Sequence, residues 1–195
     1  KLLYGNTLDQ TGAMSAGIVL GTGSTADIQD NIISNSLGLL GAVGYGSVGI
    51  FLQTASTQLE MSNYNDIYAN ATGSGVNNVG KVAATGYANL AAWQAATSQD
   101  ANSISANPEF ISNTDLHITS GSTVVAGMGV TIATVTTDID GDARSVSTPD
   151  IGADEYNCGV TTFQLSVAIQ DKWNIVSIPG LNTPDDNVNT WWSAF

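Results

Sequence analysis

The feature that most constrains this chain is an internal repeat in its first half. Residues 17–25 are GIVLGTGST and residues 49–57 are GIFLQTAST, so these two segments align at an offset of 32 residues. The Asn-flanked runs that follow, residues 30–35 and 65–70, align at an offset of 35 residues, which indicates a short insertion in the second unit. Apolar runs this short cannot bury a core in one unit alone, whereas stacked copies can.

The apolar runs of both units are rich in β-branched residues and are bounded by Gly, Asn and Ser. This pattern is typical of short strands joined by tight turns. Asn tolerates a left-handed backbone, and stacked Asn side chains can hydrogen-bond between units. We therefore expect an all-β fold in which residues 1–157 form the coils and C-terminal cap of a parallel β-helix, a solenoid. One short helix is expected near Asn89–Thr97, because Asn89 suits an N-cap and Leu90 and Trp93 share one face.

The character of the sequence changes after Cys158, which is the only cysteine and therefore excludes an intrachain disulfide. Residues 162–169 and 173–179 alternate polar and apolar side chains around a polar turn, which predicts an antiparallel β-hairpin. A bare hairpin is marginal in water. Residues 158–195 are therefore expected to form a hairpin or an incomplete β-sandwich that pairs with absent strands or with another subunit. The whole chain has the character of an internal piece of a longer protein.

Charge excludes several classes of partner. The net charge is −13, and only four residues are Lys or Arg. Such a surface repels phosphate backbones and anionic lipids, so we expect neither nucleic-acid binding nor membrane binding. No apolar run is long enough to span a bilayer. A polyanionic sugar is disfavoured too, unless a divalent cation bridges it to the protein.

The densest charge lies in residues 137–156, where Asp138, Asp140 and Asp142 have Asp-x-Asp-x-Asp spacing. Carboxylates at this spacing suit Ca²⁺, which prefers several oxygen ligands. An EF-hand is excluded, because its sixth and twelfth positions would be Ala143 and Pro149 instead of Gly and Glu. An irregular Ca²⁺ site at the three aspartates is one interpretation of this segment.

The other interpretation is a structural cap made of ion pairs. Arg144 lies among the acids and can reach one or more of them, with Asp150 and Asp154 as the cap's acidic residues. A bidentate bond between Arg and a carboxylate would pin the loop across the open end of the solenoid. Both interpretations stay open from the sequence.

No catalytic residue is assigned. His117 is the only histidine, it has neither Ser nor Cys beside it, and in a strand it faces away from Leu116 and Ile118. A glycosidase would need two carboxylates across a sugar ring, and no groove is evident. Three aromatic residues have packing as the first interpretation and sugar stacking as the alternative, namely Trp93, Tyr64 and Tyr68.

Several motifs then occur in a recognisable order, namely residues 90–100 (LAAWQAATSQD), 103–110 (SISANPEF), 115–118 (DLHI), 137–144 (TDIDGDAR) and 149–156 (PDIGADEY). With them, about residues 17–156 resemble the C-terminal portion of right-handed parallel β-helix proteins of the pectate-lyase-like superfamily. The resemblance is to the group whose helix ends in a choice-of-anchor type of domain. One departure is residues 122–127 (STVVAG), which lack the Pro and Asp usual in that group.

Residues 160–195 resemble the opening of a β-domain found between such helices and a bacterial type IX secretion sorting domain. The resemblance implies a right-handed solenoid and a secreted protein, extracellular or on the outer cell surface. It does not fix an activity, because the superfamily includes lyases, hydrolases, adhesins and passive stalks.

The sequence therefore favours a non-catalytic structural or adhesive module that assembles into oligomers or filaments through residues 160–195. The alternative is a carbohydrate-active or carbohydrate-binding protein whose groove lies on missing upstream coils. A lyase needs a base and a cation, and Lys81 and Arg144 are poor candidates because neither lies in a repeat unit. The expected partners are polysaccharide or other copies of the chain, with Ca²⁺ as the one candidate cofactor.

Overall fold

The computed structural model describes residues 15–36, 46–71, 76–119 and 122–156. Its strands are β1 (Ser15–Leu20), β2 (Ala26–Gln29), β3 (Ile32–Asn35), β4 (Ser47–Leu52), β5 (Leu59–Asn63), β6 (Asp66–Ala69), β7 (Asn78–Val82) and β8 (Thr85–Tyr87). A 3₁₀ turn, Ser56–Gln58, precedes β5, and one α-helix, α1 (Leu90–Thr97), follows β8. The hairpin predicted at residues 158–195 lies outside the described residues.

The two repeat units pair with each other in parallel, strand by strand. β1 pairs with β4, β2 with β5 and β3 with β6. The offset between paired residues is 32 in the first pair, where Ser15 lies opposite Ser47, and 34 in the third, where Ile32 lies opposite Asp66. The predicted offset of 35 is therefore wrong by one residue. Part of the increase in offset from 32 to 34 arises at a bulge after Ala26. The register matters because a slip of one residue would turn every side chain of a strand to the other face.

The sheets are small, and they do not form the predicted solenoid. The largest has four strands in the order β1-β4-β7-β8 and is mixed, because β8 runs antiparallel to β7. The other two sheets have two strands each. After β7 the chain reverses through a tight turn in which Ala83 has a φ of 48°, and α1 follows in place of a third unit.

Beyond α1, the described residues up to Tyr156 contribute turns and isolated bridges in place of strands. The prediction of an all-β right-handed parallel β-helix over residues 1–157 is therefore corrected. The described chain consists mostly of strands in small parallel and mixed sheets, with one short helix. The physical reason is that the repeat pattern correctly indicates parallel pairing of two units, but among the described residues beyond them β7 alone adds a parallel strand, on β4, before the chain turns back into β8.

Strand β3 separates two apolar cores. Because neighbouring side chains of a strand point to opposite faces, Ile33 and Ile32 enter different clusters. The first cluster is built from the repeat units and the helix, with buried Ile28, Ile33, Ile50, Leu52, Leu59, Ile67, Val79 and Trp93. The second joins β3 to the later segments through Ile32, Ile118, Val125 and Ile151. Burial of each such side chain contributes about 1.5–3 kcal/mol.

The helix α1 begins and ends as the sequence predicts. The side chain of Asn89 accepts a hydrogen bond from the backbone N–H of Ala92 (2.9 Å), which caps the first turn. Trp93 is fully buried, and a Cβ on Gly80 would overlap its ring, so the indole packs directly against the backbone of β7. No helix in the described part of the chain is long and apolar enough to cross a membrane.

Asn side chains connect the units at the turns between strands, as expected. The backbone N–H of Asn31 donates to Oδ1 of Asn65 (3.0 Å), and the backbone N–H of Asn65 donates to Oγ of Ser103 (2.9 Å). The side chain of Asn65 also donates to the backbone oxygen of Ile28 (2.8 Å). These bonds satisfy buried backbone groups that the short strands leave without a ladder partner.

A buried carboxyl begins β6. Asp66 is fully buried, and its Oδ1 accepts a hydrogen bond from the backbone N–H of Ala106 (3.0 Å). Its Oδ2 has no hydrogen-bond partner among the described residues. Burial raises the pKa of Asp66 to about 7, because an ionised carboxylate loses its hydration there.

We expect Asp66→Asn to stabilise the protein near pH 8 by about 1–3 kcal/mol. A carboxyl whose pKa is raised on folding binds a proton more tightly in the folded state, so its stability contribution falls as pH rises from about 4 to about 7. Asn avoids this loss and keeps the acceptor for Ala106. Urea denaturation across pH would show the advantage of the variant growing over that interval and constant above it. An advantage independent of pH, or one shared by the exposed control Asp27→Asn, would contradict the assignment.

Candidate functional site

Two groups of polar side chains collect residues from distant parts of the chain. The Arg144 cluster is buried and contains Arg144, Asp30, Asp150 and Glu155. The His117 cluster is more exposed and contains His117, Asp115, Asp140 and Asp154.

Arg144 makes bonds in three directions. Its Nη2 donates to Oδ2 of Asp30 (2.9 Å) and to the backbone oxygen of Asp150 (2.5 Å). Its Nη1 donates to the backbone oxygen of Gly152 (2.7 Å), and its Nε lies 3.7 Å from Oε2 of Glu155. Both side chains of the Asp30 pair are at most 6% exposed. The guanidinium therefore joins the turn between β2 and β3 to residues 144–156.

The acids of this cluster also hold backbone groups. Glu155 accepts from the N–H groups of Ser145 (2.9 Å) and Asp150 (3.1 Å). The side chain of Asp150 accepts from the N–H groups of Gly127 (2.6 Å) and Tyr156 (2.7 Å). Because a buried charge is costly unless it is paired and hydrogen-bonded, these contacts make the cluster tolerable in the interior.

Close packing brings Asp30 to Arg144. Asp30 adopts a left-handed backbone with a φ of 58°, and Gly152, with a φ of 110°, lies so near Ile32 that a Cβ there would collide with it. Burial raises the pKa of Asp30 to about 6, and the attraction of Arg144 only partly offsets this effect. Burial likewise raises the pKa of Asp150.

The structure brings two of the three predicted cap residues together in one cluster and separates the third from them. Arg144 and Asp150 belong to this cluster, whereas Oδ2 of Asp154 accepts from the backbone N–H of Ile118 (2.7 Å). Sequence reasoning missed Asp30, and it counted Glu155 among the acids within reach of Arg144 without naming it as a cap residue. A signal for Asp30 was present, because the equivalent turn position in the second unit is Tyr64, also left-handed with a φ of 55°. A charge at that position departs from the repeat.

The His117 cluster lies where a short hairpin meets the acidic loop. A bridge between Phe110 and Ile118 and a hydrogen bond from Ile111 N–H to the backbone oxygen of His117 (2.9 Å) fix the hairpin. Nδ1 of His117 lies 2.5 Å from Oδ1 of Asp115, and its Nε2 lies 3.0 Å from Oδ2 of Asp140. The imidazole is therefore held between two carboxylates.

Electrostatics of this cluster follow from that geometry. The hydrogen bond with Asp115 raises the pKa of His117 and lowers the pKa of Asp115. Both ring nitrogens already face carboxylates, which leaves neither for a Ser or Cys nucleophile in this arrangement. From the sequence, His117 was expected only to face away from Leu116 and Ile118. The Asp115-x-His117 spacing, which places both side chains on one face of an extended segment, was the available signal.

The three aspartates predicted to bind Ca²⁺ do not converge. Oδ1 of Asp138 accepts from the backbone N–H groups of Asp140 (2.9 Å) and Asp142 (2.8 Å), so Asp138 closes a turn. The side chain of Asp140 faces His117 instead. In the described parts of the chain, one set of three His, Cys, Asp or Glu side chains has its ligand atoms within 4.8 Å of one another, namely His117, Asp140 and Asp154.

The three aromatic candidates for sugar stacking differ in burial and in their contacts. Trp93 is fully buried, and its Nε1 donates to Oδ2 of Asp100 (2.8 Å), so packing is its role. Tyr64 and Tyr68 are half-buried, and the hydroxyl of Tyr68 accepts from Nδ2 of Asn70 (2.7 Å). The structure therefore removes Trp93 from any sugar-stacking surface.

A cavity of about 260 Å³ borders the His117 cluster. His117, Asp115 and Asp154 contribute polar groups to its wall. The remaining lining includes apolar side chains, among them Ile32, Leu116, Ile139 and Ala153. The cluster thus has an adjoining space of the size of a small molecule.

Comparison with known proteins adds no relative to this picture. No family model, no curated protein and no solved structure matches the chain.

We expect Arg144→Met to lower the free energy of unfolding by about 3–5 kcal/mol, because it leaves the buried carboxylates without their counter-charge. Methionine keeps an apolar stem of similar length. The double variant Asp30→Asn/Arg144→Met is then measured by urea denaturation at pH 8. Its loss of unfolding free energy should be smaller than the sum of the losses of the two single variants by at least about 1 kcal/mol, because each single variant breaks the same pair. Lys81→Met is the control for loss of a cation. Equal losses of unfolding free energy for Arg144→Met and Lys81→Met would contradict the role of Arg144 as the buried counter-charge of this cluster.

Proposed function

We infer that this chain is a non-catalytic module of an extracellular or cell-surface protein, with a structural or adhesive role. The observation that carries the inference is the Arg144 cluster. Its four charged side chains are each at most 8% exposed, and they are bonded to backbone groups and to each other. Their polar groups are therefore engaged in holding segments of the chain together.

Composition supports the same inference. Only 11% of residues are charged, and the net charge is −13 with four cations. A lyase acting on an acidic polysaccharide needs cationic groups to neutralise the substrate, and the buried Arg144 is engaged within the protein. Lys81, in β7 of the four-stranded sheet, has its Nζ 5.2 Å from the centroid of the Phe51 ring.

The carbohydrate alternative receives less support from the aromatic residues. Sugar-binding surfaces use exposed rings, and Trp93, the largest of the three candidates, is fully buried. The resemblance to secreted β-rich proteins supports an extracellular location. The proposal also includes association of copies of the chain through residues 160–195.

The test compares assembly with turnover. Light scattering of the intact chain should show an average mass that rises with concentration, and a chain ending at Gly159 should remain monomeric. The same preparations, incubated with a panel of neutral and acidic polysaccharides, should release neither reducing ends nor unsaturated products. Product release by the intact chain that His117→Ala abolishes would contradict the proposal and favour an enzyme. Monomers retained on an immobilised polysaccharide would favour a carbohydrate-binding module instead.

A further inference from the structure

The His117 cluster has the composition of a metal-binding site. It offers one imidazole nitrogen and two carboxylates, with the ligand atoms of His117, Asp140 and Asp154 within 4.8 Å of one another. In a tetrahedral zinc site, bonds of about 2.0–2.2 Å place ligand atoms roughly 3.3–3.6 Å apart. The 3.0 Å separation of Nε2 of His117 and Oδ2 of Asp140 is near this value, so small movements would admit an ion.

The orientation of His117 is that of a metal ligand. Metal-bound histidines commonly donate the second ring N–H to a carboxylate, which fixes the tautomer and makes the other nitrogen a better ligand. Here Asp115 occupies that outer position at Nδ1. Nε2 is left to face Asp140. Asp115 is itself held by its backbone N–H, which donates to Oγ of Ser112 (2.9 Å).

The two carboxylates are positioned by the backbone before any ion arrives. Asp140 lies in the turn that Asp138 closes, and a bridge between Thr137 and Ala143 fixes the ends of that turn. Asp154 is held by the N–H of Ile118, the neighbour of His117. The N–H of Ile139 donates to the backbone oxygen of Ala153 (2.9 Å), which ties the two acidic segments together. Little reorganisation is therefore needed on binding.

We propose that His117, Asp140 and Asp154 bind a divalent transition-metal ion such as Zn²⁺, with Asp115 as the residue that positions the imidazole. The imidazole is the reason for this class of ion, because Ca²⁺ and Mg²⁺ prefer sites made entirely of oxygen ligands. Three protein ligands leave one tetrahedral position for water or an external group. The adjoining cavity, in whose wall His117 and Asp154 lie, provides space for such a group.

The proposal goes beyond the structural role and does not depend on it. A bound ion would join the hairpin at His117 to the acidic loop at Asp140 and to Asp154. It would use groups of this chain alone. The same ion could serve a structural module or a catalytic one, so the turnover assay described above and a binding experiment give independent answers.

The test is a calorimetric titration of the metal-stripped intact chain with ZnCl₂ near pH 7.5. One equivalent should bind, and His117→Ala or Asp140→Asn should weaken binding at least about 30-fold. Asp115→Asn should weaken it about 10- to 100-fold, the range for loss of an outer carboxylate. Asp27→Asn, which removes an exposed acid from β2, should leave the affinity unchanged. A Cys158→Ser variant should bind Zn²⁺ as the native chain does, which excludes the thiol as the ligand.

A second readout reports on His117 directly. Since His117 is the only histidine of the sequence, ¹⁵N-edited imidazole spectra contain one side chain, and Zn²⁺ should shift its Nε2 resonance far more than its Nδ1 resonance. Far-ultraviolet circular dichroism shows whether each variant is folded. Zn²⁺ affinity unaffected by His117→Ala, or Ca²⁺ binding at one equivalent in place of Zn²⁺, would overturn the proposal.

Discussion

The placement of residues 122–156 against the repeat units depends on the buried pair of Asp30 and Arg144, which lie 114 positions apart in the chain. Placing two charges in an interior costs several kcal/mol for each ion, and only good geometry with further hydrogen bonds offsets that cost. Arg144 has both, because backbone oxygens of Asp150 and Gly152 accept its remaining bonds. The pair therefore specifies one arrangement of the later segments, since any other arrangement would leave a buried charge alone.

A second constraint is the close approach of the two repeat units. Small residues allow it, as at Gly17, where a Cβ would lie 2.9 Å from the backbone oxygen of Gly49 in the second unit. Between the apolar strands, Asn65 bonds to backbone or side-chain groups of both adjacent segments. Apolar contact supplies the favourable energy, and these polar bonds fix the register in which that contact is made.

Some of this structure could be predicted from the sequence, namely the features that arise locally. The strand-turn pattern, the parallel relation of two units and the helix capped by Asn89 all follow from neighbouring residues. The prediction of an extended solenoid was wrong, because in the described chain beyond the two units β7 alone adds a parallel strand before the chain turns back into β8. The one-residue error in register arose because insertions lie in the bulge after Ala26 and in turns, where side-chain periodicity carries no signal.

The candidate sites show the same division. Arg144 and Asp150 are recognisable from their acidic surroundings, whereas Asp30 and Glu155 become partners only through the path of the chain. His117 and Asp140 are 23 positions apart and meet because a hairpin and a turn face each other. Of the three aspartates predicted to bind Ca²⁺, Asp138 accepts hydrogen bonds from its own turn, and Asp140 faces His117.

The measurement that tests the central claim most directly is amide hydrogen exchange of the native chain and of Arg144→Met. The account predicts that the N–H groups of Gly129 and Ile151, which bond to Pro149 and Val125, lose at least about tenfold more protection than those of β4 and β6. The Arg144 cluster holds only the later segments, so its loss should let these segments open locally before the repeat units do. Equal loss of protection across all of these amides, or no loss at Gly129 and Ile151, would contradict the claim that Arg144 holds the later segments to the repeat units.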